Sequence, residues 1–285
     1  MLTSHASVLS PQTVSEALDL RAQHPHAMPI AGGTDVMVAL ELGAVNPTAF
    51  INLWGIQELS QIRVDETGSI AIGALATYRT ISSSPSVQNA APILVEASKT
   101  VGAKQIQNRG TLAGNIANAS PAGDTLPVLM ALDAEVEVAS SARGTRRIPL
   151  AELYTGYRQL KMADDELITW VHLPPRHPHD LTHFRKVGTR LAQAISKVVM
   201  GIRLRMDGGV VQEARVALGS VAPVPVRCRH VENALVGQSI NADLAQLIST
   251  DIAPIDDIRS TKVYRNGTAQ RILKSALTHL ASQVD

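Results

Sequence analysis

The chain has 285 residues, 45% hydrophobic and 18% charged, with a formal net charge of +1. That is long enough for two packed domains and too apolar for a disordered protein. No Lys/Arg run exceeds two residues, which argues against a nucleic-acid footprint, and no apolar run nears the ~20 residues of a membrane helix.

The first block opens with a helix over 13–23, where Val14, Ala17, Leu18 and Leu20 recur at helical spacing behind Ser10 and Pro11. A short strand over 27–31 runs through "GGTD" into a helix over 36–43, and a strand over 49–53 completes an α/β unit. A second block starts with a hairpin over 61–74 that turns at Asp65-Glu66-Thr67-Gly68. One helix is expected over 85–101. A stretch poor in large side chains follows, then a helix at 125–132 and strands at 134–140 and 166–174. "PPRHPHD" (174–180) reads as a linker. The third block is a strand over 182–188, a long hairpin turning at Asp207-Gly208-Gly209, and helices over 229–237, 242–250 and 268–283. Runs of strands followed by runs of helices make the fold class α+β.

Two stretches carry candidate chemistry. "IAGGTD" (30–35) sets two glycines between a strand and a helix, where bare Cα atoms let backbone N–H groups approach a phosphate. The plain alternative is a tight turn with Thr34 or Asp35 as helix cap. "GTLAGNIANASPAGD" (110–124) has only Leu112 and Ile116 as bulky residues and again offers exposed backbone donors. Asn115, Asn118, Ser120 and Asp124 add groups for hydroxyls or a base, although Asp124 equally suits an N-cap. Two such loops in one chain suit a dinucleotide. Neither contains a G-x-G-x-x-G or P-loop pattern.

The single cysteine, Cys228, allows no internal disulfide and no iron–sulfur cluster on this chain's own thiolates. With no secretory leader visible, the cytoplasm is the expected compartment. "HPH" at 24–26 and at 177–179 reads as exposed loop, since no acid or Cys cluster accompanies it.

"AGGTDVMVAL", "GAKQIQNRGTLAGNIANASPAGDTLPVLMALDAEV" and "FRKVGTRLAQAISKVVMG" together closely resemble the FAD-binding (medium) subunit of molybdenum hydroxylases, xanthine dehydrogenase type. The likeness spans nearly the whole chain in family order. It implies a two-part FAD-binding domain over 1–176, with subdomains of about 1–55 and 56–176, and a smaller C-terminal α/β domain over 177–285. The first FAD loop would fall on Pro29, Ile30, Ala31, Gly32, Gly33, Thr34, Asp35 and Val36. The second, usually T-x-G-G-N, would fall on Thr111, Leu112, Ala113, Gly114 and Asn115. An acidic contact to the adenosine side falls on Asp124, an apolar contact near the flavin on Ile168, and a lysine contact on Lys197.

Two departures stand out. Ala113 replaces the usual Gly, and Val101 stands where some relatives carry a Phe that stacks on the flavin. With Thr34 and Asp35 in a first loop that has no His, FAD should be noncovalent. The resemblance further implies partners: a large molybdopterin subunit that hydroxylates substrate, and a small 2Fe–2S subunit that relays electrons to FAD and on to NAD. It assigns this chain no catalytic side chain and no metal ligand. Tyr157 and Arg158 are further candidates for the neighbourhood of the ring, against the plain reading of a buried Tyr and a surface Arg. A related aldehyde, CO or N-heterocycle dehydrogenase, a self-sufficient flavin oxidoreductase, and a scaffold without FAD are the alternatives.

Overall fold

The computed structural model describes residues 6–190 and 192–284. The first block is a three-stranded parallel sheet of β1 (Ser7–Leu9), β2 (Met28–Ile30) and β3 (Ala49–Asn52), in the order β1-β3-β2. Helix α1 (Val14–Gln23) links β1 to β2, and α2 (Val36–Glu41) links β2 to β3. Thr13 caps α1 by accepting the Glu16 N–H at 3.2 Å, and the Glu16 carboxylate accepts the Gln12 N–H at 2.7 Å. Strand β1 was not expected from the sequence: two of its three residues are exposed, so it shows no apolar run of the kind that marks β2.

The second block pairs β4 (Ile62–Val64) with β5 (Ile70–Gly73), then runs through six helices: α3 (Tyr78–Ser83), α4 (Pro85–Ala90), α5 (Pro92–Thr100), α6 (Lys104–Arg109), α7 (Leu112–Asn118) and α8 (Leu126–Ala131). Strands β6 (Glu135–Ser140) and β7 (Gly144–Pro149) follow. Next come the short helix α9 (Leu150–Leu153), a small hairpin of β8 (Tyr154–Gly156) and β9 (Gln159–Leu160), and β10 (Leu167–Leu173). The antiparallel sheet order is β4-β5-β10-β6-β7.

The single helix expected over 85–101 is two helices. Pro92 has no N–H to continue the ladder, and Ala91 before it leaves helical geometry at φ −140°, ψ 58°. The stretch 110–124 is not all loop either. Its alanines favour α7, which Thr111 caps and Ala119 ends in a left-handed conformation at φ 50°.

The third block is an antiparallel sheet of β11 (Asp180–Val187), β12 (Val198–Asp207), β13 (Val210–Gly219) and β14 (Val226–Arg227), in that order. Helix α10 (Arg229–Leu235), a 3-10 helix at Ala242–Thr250 and α11 (Lys262–Ala281) follow. The 3-10 form replaces the helix expected there, and α11 starts at Lys262, ahead of the expected 268, capped by Thr261. Among the described residues no helix is long and apolar enough to cross a membrane.

One buried apolar cluster fills the first two blocks and a second lies between the third sheet and its helices. Helix α8 packs on β12 and β13 at the seam, so closely that a Cβ added to Gly201 would lie 2.8 Å from the Cα of Val128. Just past α8, Asp133 accepts from three arginines of the third block: Arg203 at 2.6 Å, Arg215 at 2.8 Å and Arg227 at 3.1 Å.

Candidate functional site

The first glycine loop leaves the C-terminal end of β2, where Ile30 pairs with Asn52. A Cβ added to Gly32 would lie 1.8 Å from the carbonyl oxygen of Arg109. The bare Cα is therefore required by the backbone that leads into the second loop. Gly33 has φ 77°, a left-handed value that glycine adopts without strain. Among the described residues, the backbone N–H groups of Gly32, Gly33, Thr34 and Asp35 donate to no acceptor within the chain. Successive unpaired amides around a left-handed residue are a ready anion site. Of the flanking residues, Pro29 and Ile30 lie in β2, half-buried Ala31 packs on the core, and Val36 opens α2.

The second loop is tied down beside it. Thr111 bridges to Thr77, with the Tyr78 N–H donating to Gly110 O at 3.1 Å and the Leu112 N–H to Ala76 O at 3.2 Å. Thr111 Oγ1 accepts the Gly114 N–H at 3.0 Å. The side chains of Leu112 and Ala113 are buried in the core, so only their backbone can meet a ligand. Ala113 lies in α7 and is not among the residues with positive φ, so it carries no backbone strain. Asn115 Oδ1 accepts from Thr125 Oγ1 at 2.9 Å.

Asp124 does not act as the cap of α8; Thr125 stands at that position. Its buried carboxylate instead takes Lys186 Nζ at 2.6 Å and Ser196 Oγ at 2.5 Å, and Lys186 also donates to Thr100 O at 2.9 Å. Burial raises the carboxyl above the ordinary carboxylate range, against the pull of the Lys186 ammonium. Lys186 and Ser196 were not singled out in the sequence. Lys186 looks like any polar residue of an alternating strand, and its partner stands 62 residues away.

Val101 is half-buried at the end of α5, and the next carbonyl, of Gly102, accepts the Gln193 N–H at 3.3 Å. Residues 100–102 therefore adjoin the segment that follows β11. Lys197 also lies on that segment, half-buried, with its ammonium 5.1 Å from the ring centre of Tyr264. Ile168 is buried in β10 beside an irregularity in its pairing with β6. Desolvation raises the Asp35 carboxyl, and the Arg158 guanidinium opposes the shift. Exposed Tyr157 lies beside that arginine, 5.9 Å from its guanidinium. His177 and His179 stand exposed, their rings edge to face.

Comparison with known proteins fits this geometry. The family described as the FAD binding domain in molybdopterin dehydrogenase matches residues 4–176, and the CO dehydrogenase flavoprotein C-terminal domain matches 183–280. The putative xanthine dehydrogenase FAD-binding subunit of Escherichia coli (strain K12) is 30% identical over 272 residues, covering 93% of this chain and 92% of that protein. The carbon monoxide dehydrogenase medium chain of Hydrogenophaga pseudoflava is 29% identical over 277 residues, covering 94% of each. Among solved structures, carbon monoxide dehydrogenase from Hydrogenophaga pseudoflava aligns at a TM-score of 0.92 with 26% identity over 98% of each chain. Quinoline 2-oxidoreductase from Pseudomonas putida 86 aligns at 0.91, with the same identity and coverage. With both halves matched in order and two glycine-bearing loops brought together, this chain belongs to the FAD-binding subunits of the molybdenum hydroxylases, a family of oxidoreductases.

Proposed function

We propose that the chain holds FAD noncovalently across its two loops and relays electrons from the 2Fe–2S clusters of a small partner subunit to NAD. The complex would be of xanthine dehydrogenase type, with molybdopterin on a large partner subunit. Residues 1–176 would form the FAD-binding domain, with parts of about 1–55 and 56–176, and 177–285 the C-terminal flavoprotein domain. The observation that carries this reading is the row of unpaired amides from Gly32 to Asp35, in contact with the backbone that begins the second loop. Such donors fit the pyrophosphate of a dinucleotide.

Bound FAD supplies the redox chemistry, accepting electrons and passing them on as hydride. The protein's part is to bind and orient. The Gly32–Asp35 amides and the N–H of Ala113 hold phosphate oxygens, and Asn115 and Asp124 accept from hydroxyls of the adenosine side. Lys186 and Ser196 keep the Asp124 carboxylate fixed for that task. Val101 and Ile168 are the apolar contacts to the flavin, with Lys197 as the nearby cation.

The purified chain, expressed alone, should be yellow. Xanthine, hypoxanthine or an aldehyde should not bleach it anaerobically, because electrons from such a substrate enter through the partners' metals. Bleaching by substrate in the absence of metal would make this a self-sufficient flavoenzyme. A colourless chain that takes up no added FAD would make it a scaffold. In the assembled complex NADH should bleach the flavin, and failure there removes NAD as acceptor. The substrate that bleaches the complex distinguishes xanthine from the aldehyde, CO and N-heterocycle alternatives.

A further inference from the structure

The amides of the first loop are neutral, whereas a pyrophosphate carries two negative charges that favour a side-chain cation nearby. Three cations stand close to the loops. Lys186 is committed to Asp124 and the Thr100 carbonyl. Arg158 is exposed on the turn between β8 and β9, and its charge opposes the upward shift of the Asp35 carboxyl. Arg109 is exposed and, among the described residues, makes no ion pair. It is also the residue whose carbonyl oxygen meets Gly32, so its side chain is rooted where the two loops touch.

The Arg109 guanidinium lies 3.8 Å from the ring centre of Trp54. Trp54 stands in the turn that leaves β3, beside the strand from which the first loop departs, and Asn52 Oδ1 fixes that turn by accepting the Trp54 N–H at 3.2 Å. Stacking on an aromatic plane uses the face of a guanidinium and leaves the N–H donors at its edge free. The ring also holds the cation ready without a carboxylate that would compete with a phosphate.

We propose that Arg109, spread on Trp54, is the side-chain cation that engages the FAD pyrophosphate at the first loop. The proposal rests on the FAD reading above and goes beyond the two loops by adding a charged, oriented donor outside both. It also assigns a task to Trp54, which holds the guanidinium flat so that it presents a fork of donors rather than a mobile point charge.

The test uses the full chain freed of flavin, titrated with FAD and, separately, with riboflavin, which has no phosphate. Parent, Arg109→Gln, Arg109→Lys and Trp54→Leu are compared at low and high salt. Arg109→Gln should weaken FAD binding about tenfold at low salt, the scale of one charge-assisted contact. It should also flatten the salt dependence and leave riboflavin affinity and the thermal midpoint of the flavin-free chain unchanged. Arg109→Lys should recover part of the loss, and Trp54→Leu should weaken FAD binding less than Arg109→Gln does. Equal FAD affinity in parent and Arg109→Gln overturns the proposal. So does an equal loss for FAD and riboflavin, or a lowered midpoint that Arg109→Lys does not restore, since each marks a structural role. A parent that binds neither ligand refutes the FAD reading itself, and the proposal with it.

Discussion

Replacing Gly32 by alanine drives a methyl group into the Arg109 carbonyl, whereas at Gly33 the nearest atoms stand 3.7 Å from an added Cβ and only the backbone conformation objects. Gly32→Ala should therefore part the two loops, cost about 1–3 kcal/mol as overpacking does, and lower FAD content. Gly33→Ala should cost about 1–2 kcal/mol from its left-handed φ alone, with a smaller effect on the cofactor. Urea midpoints, and FAD released per mole on denaturation, give the ranking; a Gly33→Ala variant poorer in FAD than Gly32→Ala reverses it. Ala113→Gly restores the more usual family residue, but inside a helix it should only loosen α7, by about 1 kcal/mol, and should not tighten FAD binding. A titration in which it binds FAD more tightly would show strain at Ala113. The glycines themselves were readable in the sequence. Their different tasks were not, because the Arg109 carbonyl that constrains Gly32 lies far along the chain. Lys186 was equally hidden, since only the fold brings it to Asp124.

At the scale of elements, legibility followed length and burial. The long hairpin of β12 and β13, two apolar-rich runs around Asp207-Gly208-Gly209, was readable, as was α1, although its cap is Thr13 and not the Ser10 and Pro11 read at its start. Strand β7 was not: it is an edge strand with four of its first five residues exposed, so no apolar period marks it. The contact between β11 and α11 yields a prediction. Their His183 and His279 rings lie 5.4 Å apart, and desolvation, then His279 and Arg185, hold the His183 imidazole below its ordinary pKa. The folded state thus prefers this ring neutral. Its contribution to stability is present above the unfolded value of ~6.5 and is lost as pH falls through it toward the lower folded value. Acidification from pH 8 to pH 5 should destabilise the chain, and His183→Gln should flatten that slope. Identical slopes in urea titrations of parent and variant would contradict this.

In the whole molecule, the seam between the blocks turns on Asp133. Two of its three arginine partners, Arg203 and Arg227, have side chains only 7% and 6% exposed, with Glu213 and Glu232 as their further carboxylate partners. Asp133→Asn removes the charge they share and should cost about 2 kcal/mol, the scale of hydrogen bonds to charged groups. Because those bonds tie the third block to the rest, the loss should split one cooperative unfolding transition into two. Calorimetry that shows a single transition at the parental temperature would rule this out. The two-part plan was legible from motif order and from the proline-rich stretch before β11. The seam itself was not, since its arginines are indistinguishable in sequence from the solvent-facing residues of a strand.

Residues 174–179 are exposed throughout, while the blocks on either side are joined by α8 against β12 and β13, by Asp133, and by Asp124 with Lys186. None of these joints needs an unbroken polypeptide. Continuity of the chain is thus the most dispensable link between its halves, and one polypeptide could be made as two. Trypsin acting briefly on the folded protein should cut after Arg176 and leave fragments that travel together through a sizing column, still coloured. Two separately synthesised halves should likewise find one another in the cell, and fragments that part at once on cleavage would show that the seam cannot hold alone.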